Sequence, residues 1–260
     1  MSAINRNSPA KGANPLVEKL ERRSAKESNL AWIARAMKKS PLAESSDNAL
    51  VLLTGGSDPL SFRLRLAQAH VRPDLSTSAW SAAYFIPALK TDIGMSETIG
   101  VSLAPAEWYP PFGYAPTTNA IQHGKLSQLA SPEFLPNLAL LSFPIAAQDI
   151  KKSLSRLETE RLTIDLSALL LRWVQYAWGT GIPANPLGDG VGMPSAAMLE
   201  TAFAANGFDL TPGLESRSSC PEAIWQAARW WHEYYGKSDK RVLGAFVAPH
   251  GFVNEMYYKE

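Results

Sequence analysis

ALVLLTGGSDPLSFRLRLAQAHV, residues 49–71, reads as a strand that turns directly into a helix. Residues 49–53 are apolar without interruption, and Gly55 and Gly56 close the run. A run this short, bounded by turn residues, is the pattern of a strand with both faces covered. Asp58 or Ser57 is placed to cap the helix that follows. Pro59 falls in its first turn, where the missing N–H leaves no bond unmade. A strand covered on both faces needs partners beside it and layers above and below.

The partners are legible further along. SAAYFI (81–86), ETIGVSLA (97–104) and NLALLSFPI (137–145) have strand character. Between the last two, residues 105–136 carry six prolines and are expected to form a long loop; an ordered loop of that length is usually functional or part of an interface. The second half is helical. Ile150, Leu154 and Leu157 mark one amphipathic helix. In DLSALLLRWVQYAWG (165–179), Leu166, Leu169, Leu170, Trp173, Val174 and Ala177 repeat at helical spacing, with Asp165 as the cap and Gly179 beyond the end. GMPSAAMLETAFAANGFDL (192–210) is another helix, with Pro194 near its first turn and Gly207 as its stop.

Upstream, Leu16, Leu20, Trp32, Ile33 and Met37 recur at roughly helical spacing, with Asn29 as a cap and Lys38 and Lys39 in a last turn that favours cations. The expected organisation is a basic tail over 1–13, a helical segment over 14–48 and a single α+β domain over 49–260. Its sheet is mixed and mainly antiparallel, with helices gathered in the C-terminal half.

The 260 residues are 46% hydrophobic, enough for a large core, and contain no apolar run of membrane-spanning length. The first residues lack the apolar segment of a secretory signal, and the one cysteine leaves no internal disulfide framework. A cytoplasmic location is therefore the expectation. The net charge of +1 hides an asymmetry, because residues 1–40 hold nine Lys/Arg against three Glu. Such an arm suits an acidic protein face, or nucleic acid through residues 6–39. No basic stripe with interleaved aromatics follows it, so nucleic acid is the lesser alternative.

The cysteine sits in SSCPEAIWQAARWWHEYYG, residues 218–236. Ser219 and Glu222 have capping-box spacing, which puts Cys220 at a helix N-terminus where a thiolate is favoured. A nucleophile there needs a base. His232 lies more than three turns along the same helix and is out of reach. His70 ends a helix, His250 lies in a turn, and His123 is the best remaining partner. Cys also behaves as a small hydrophobe, and this helix is wide in its apolar character: Trp225, Trp230, Trp231, Tyr234 and Tyr235 crowd it. Aromatics in that density mark a core or an interface. TGGSD lacks the residues of a P-loop or a dinucleotide fingerprint. Asp165, Asp189, Glu200 and Asp209 are explained as caps, turn residues or helix surface. No metal-ligand spacing occurs, and no cofactor is expected.

Strand ALVLLTGG, helix LSFRLRLAQAH, strand WSAAYFI and helix PSAAMLETAFAANGFDLTP, together spanning about residues 50–212, resemble the circularly permuted papain-like peptidases of the NlpC type. In that family a W/Y-S-H strand carries the catalytic histidine and a C-S-x-x-V helix carries the cysteine. The matching positions here are Ala82 and Pro194, followed by Ser195, and neither can do that chemistry. The resemblance therefore implies a papain-like domain without catalysis. It is expected to act as a protein-interaction subunit of a larger cytoplasmic assembly, or as a homo-oligomer, through Trp225, Trp230, Trp231, Tyr234 and Tyr235 with Arg22 and Arg23. The alternative is a cysteine-dependent hydrolase, a peptidase or amidase, using Cys220 with His123.

Overall fold

The computed structural model describes residues 23–24, 26–39, 42, 47–103, 117–161, 163–179, 183–235 and 242–249. Its frame is a six-stranded sheet: β1 (Asn48–Gly55), β2 (Ala82–Ile86), β3 (Glu97–Gly100), β4 (Gln122–Lys125), β5 (Asn137–Ala146) and β6 (Leu243–Val247). The order across the sheet is β4-β3-β2-β1-β5-β6, and each neighbouring pair is antiparallel.

β1 lies inside this sheet and is buried from Ala49 onward. Alternate side chains of a strand point to opposite faces, so its apolar run divides in two. Ala49, Val51 and Leu53 enter one core with Ala139, Leu141 and Phe143 of β5. Leu50 and Leu52 enter a second core with Leu138 and Leu140. Each fully buried leucine contributes about 1.5–3 kcal/mol relative to exposure. Gly55 ends the strand against Ala79: a Cβ there would stand 1.9 Å from the Ala79 carbonyl oxygen, so only glycine fits.

The second core is covered by α1 (Asn29–Lys39), which places Trp32, Ile33 and Ala36 against it. Asn29 does not cap this helix but opens it. Ser28 Oγ accepts from the Ala31 amide instead (3.2 Å), while the buried Asn29 amide donates to the carbonyls of Leu129, Ser131 and Leu135. Residues 1–13 and Pro41 lie outside the described residues.

The first core is covered from the other side by α3 (Ala147–Thr159), α4 (Leu166–Ala177), α5 (Pro194–Ala204) and α6 (Pro221–Tyr235). Asp165 caps α4 by accepting from Ala168 N (3.0 Å), and Gly179 adopts φ +67° just past its end. α5 is buried along its whole length from Pro194 to Phe203. A helix buried on every side has no solvent face to keep, and α5 is the centre of its layer, with Glu200 as its one buried carboxyl. α2 (Pro59–Ala67) follows β1, with Asp58 as the cap.

Two strands depart from the reading of the sequence. β4 lies within residues 105–136, expected as loop; QHGK alternates half-buried and exposed positions without the apolar residues that mark a strand. β6 follows α6, in a region that the sequence marks only by a turn at His250, itself outside the described residues. Gly244 and Ala245 weaken its strand signal, and pairing with β5 supplies the order.

Candidate functional site

Cys220 sits immediately before α6 and is fully buried, among Leu64, Ala67, Trp173, Ala177, Met193 and Ala223. The capping box is not formed: Ser219 Oγ has no hydrogen-bond partner, and the Glu222 amide donates to Gln68 Oε1 (2.8 Å). Burial pushes the thiol pKa up to about 12, which outweighs the help of the backbone amides of Ala223 and Glu222. At neutral pH the group is a neutral thiol in an apolar shell, inert as a nucleophile.

His123 is on β4, and the structure does not bring it to Cys220. Its Nδ1 faces Glu97 Oε1 (2.9 Å) and its Nε2 faces Glu158 Oε1 (2.5 Å); Lys151 Nζ also bonds Glu97 (2.8 Å). A neutral imidazole donates through one nitrogen only, so two carboxylate acceptors call for the imidazolium. The hydrogen bond to Glu158 raises its pKa to about 9, against desolvation, with Glu97 adding to the rise. A ring held charged at neutral pH cannot act as a general base there.

His123 is thus an electrostatic clip between β3, β4 and α3, and it predicts a pH dependence. A raised folded-state pKa means stability fully present below the ordinary value of 6.5 and lost as pH rises through about 9. Solvent screening holds the effect to about 1 kcal/mol. Urea unfolding across this window should show wild-type stability falling toward that of His123→Gln. Parallel profiles for the two proteins would refute the clip.

In the TGGSD turn the amides of Gly56 and Ser57 are already engaged, as is that of Ser61 just beyond it. Gly56 N donates to Ser81 Oγ (3.2 Å), Ser57 N to Phe134 O (3.1 Å) and Ser61 N to Asp58 Oδ1 (2.9 Å). Asp165 and Asp58 are caps, and Glu200 is not helix surface: it is buried in α5, where desolvation raises its pKa and Thr211 Oγ1 donates to it (2.7 Å). Among the described residues no group of three or more His, Cys, Asp or Glu side chains is arranged to hold a metal, and no helix is long and apolar enough to cross a membrane.

α6 divides its aromatics. Trp225 is core, 5.1 Å between ring centroids from Trp80 and 4.8 Å from Phe246. Trp231 packs on Phe208 and Tyr235 stacks on Trp231. Trp230 and Tyr234 point away, 49% and 67% exposed, and stack on each other with centroids 4.9 Å apart and planes 16° apart. Arg23 donates to Asn29 Oδ1 and to Pro136 O, which anchors it to the sheet side of α1; Arg22 lies outside the described residues.

Beside Trp230 runs a groove of about 390 Å³, walled by Val71, Thr211, Pro212, Leu214 and Ala227. The Thr211–Glu200 bond fixes one wall to α5. Behind the other is a buried polar network that residue order does not reveal. Glu222, fully buried, accepts from Arg72 Nη1 (3.1 Å), Ser78 Oγ (2.7 Å) and Gln226 Nε2 (2.6 Å), and its amide donates to Gln68 Oε1 (2.8 Å). The network ties the start of α6 to the end of α2 across 150 residues of sequence. The groove is therefore preformed and rigid at its base.

No protein-family model matches this chain, and no characterised protein or solved structure matches it either.

Proposed function

We propose that the chain is a non-catalytic, papain-like domain that binds another protein through the outer face of α6. The observation that carries this is the solvent-facing Trp230–Tyr234 stack beside a preformed apolar groove. Trp and Tyr supply most binding hot spots, because they offer large rigid area at little entropic cost. Thiol chemistry is disfavoured by the sealed, neutral Cys220 and by the two carboxylates that occupy His123.

The papain-like reading draws support from α5 and β2. The Ala83 amide of β2 donates to Ser195 Oγ at the start of α5 (3.3 Å), so the segments that would carry the family's histidine and cysteine adjoin each other. Ala82 and Pro194 stand where those residues would be, and Met193, Pro194 and Ser195 are buried. A site that has lost both reactive groups and its access to solvent suits a scaffold.

The test is affinity capture from native lysate with the full chain and with Trp230→Ala/Tyr234→Ala. Truncating such anchors costs about 2 kcal/mol, or roughly 30-fold in affinity. Proteins retained by the wild type should be lost by the variant, with its melting temperature unchanged. Equal retention of the same proteins by both would refute the reading.

A further inference from the structure

The two edges of the sheet are built differently. β4 presents Gln122, His123 and Lys125, and its histidine is clamped by carboxylates. Charged, short edge strands are how native sheets avoid pairing with another chain. β6 has none of this protection. Leu243, Gly244, Ala245, Phe246 and Val247 include no charge and no proline, and all five pair with β5 in unbroken register. Among the described residues no strand pairs with its outer side. An uncharged edge strand that no other described strand pairs on its outer side is a template for one more strand.

We propose that β6 pairs antiparallel with β6 of a second copy, about a two-fold axis at Ala245, joining two six-stranded sheets into one. The strand's own sequence argues for a copy of itself as the occupant. A two-fold interface must be self-complementary, and an uncharged strand meets itself without like charges in opposition. The register centred on Ala245 pairs all five residues and keeps each helical layer on its own side of the sheet. It sets Leu243 against Val247 on the face that α1 covers. On the other face it sets Phe246, which packs on Trp225, against Gly244, where an aromatic ring covers bare backbone. A slip of one residue would turn the side chains of one copy to the wrong face.

This pairing is separate from the α6 surface and is tested separately, by sedimentation of the full chain over a range of concentrations. The wild type should dimerise reversibly. Leu243→Lys/Val247→Lys sets lysine against lysine in both flanking pairs and should weaken the dimer about tenfold or more. Leu243→Lys/Val247→Glu introduces as many polar groups but sets opposite charges face to face, and should restore the dimer. Should the double-lysine protein fail to fold, the wild type and the Lys/Glu variant still decide. A wild type that stays monomeric at its highest soluble concentration would overturn the proposal. So would a dimer of undiminished affinity in the folded double-lysine protein, or a Lys/Glu variant that is monomeric.

Discussion

Phe203→Ala should remove about 3–5 kcal/mol of stability, the cost of deleting a fully buried aromatic ring and leaving a cavity. Phe203 is completely buried on α5. Its ring meets Phe143 of β5 edge-on at 5.4 Å and Phe208 at 6.0 Å, and those two meet each other at 5.7 Å. Phe208 in turn packs on Trp231 of α6, also at 5.7 Å. One side chain thus joins the sheet, the central helix and the helix that bears the exposed aromatics. Edge-to-face pairs add about 0.5–1.5 kcal/mol each beyond area burial, so the loss should fall high in the range. Urea unfolding measures it. Leu171→Ala, at a side chain 70% exposed on α4, is the control and should change stability by about 0.5 kcal/mol or less. A loss of about 1 kcal/mol or less for Phe203→Ala would mean that α5 is not the keystone of this layer.

The central strands were legible because their burial is written in composition. β1 and β5 are buried on both faces through most of their length, so each carries an apolar run, residues 49–53 and 138–141, that no solvent-facing residue disguises. The same runs leave strand direction open, since such runs are commonest in parallel sheets. The order of the elements does not settle it either: a helix, α2, joins β1 to β2, the connection usual between parallel strands, yet the two pair antiparallel. The edges were not legible for the opposite reason. β4 is polar and β6 small, and each is held in place by its neighbour rather than by its own propensity.

At the candidate site, the density of aromatics on α6 was visible, but their division was not. Trp225 and Trp230 look alike in sequence; one is core because Trp80 and Phe246 of β6 enclose it, and the other stands half exposed at the rim of the groove with Thr211, Pro212 and Leu214. The capping box failed for a similar reason. Glu222 had a local partner within three residues, and a distant one, Arg72, won it. A charged donor that satisfies a buried carboxylate outweighs a neutral amide, and here Gln68 Oε1 serves the Glu222 amide and the Ser216 carbonyl that of Ser219. Sequence spacing records only the local competitor.

That competition sets the second large effect, in Arg72→Met. Glu222 is wholly buried, and Arg72, 23% exposed, supplies its positive charge. Removing the arginine leaves an anion facing neutral donors, Ser78 and Gln226, at a cost of about 3 kcal/mol. The low end of the range for broken buried pairs applies, because solvent reaches the arginine. Part of the loss could come from Asp74, which also pairs with Arg72 but is largely exposed. Asp74→Asn should therefore cost far less than Arg72→Met, and subtracting it isolates the buried pair. Adding Glu222→Gln to Arg72→Met should recover more than half of the loss, since the neutral amide accepts from Gln226 through its oxygen and donates to Ser78 Oγ through its NH2, without an unpaired charge. Urea unfolding of the wild type, Arg72→Met, Asp74→Asn and the double variant measures each loss directly. If the double variant is no more stable than Arg72→Met alone, the cost lies in lost packing and not in a stranded charge. Val71 and Ala223 line the groove beside this pair, so a folded Arg72→Met protein should also bind less well through α6. The buried ion pair would then be what holds the binding face in shape.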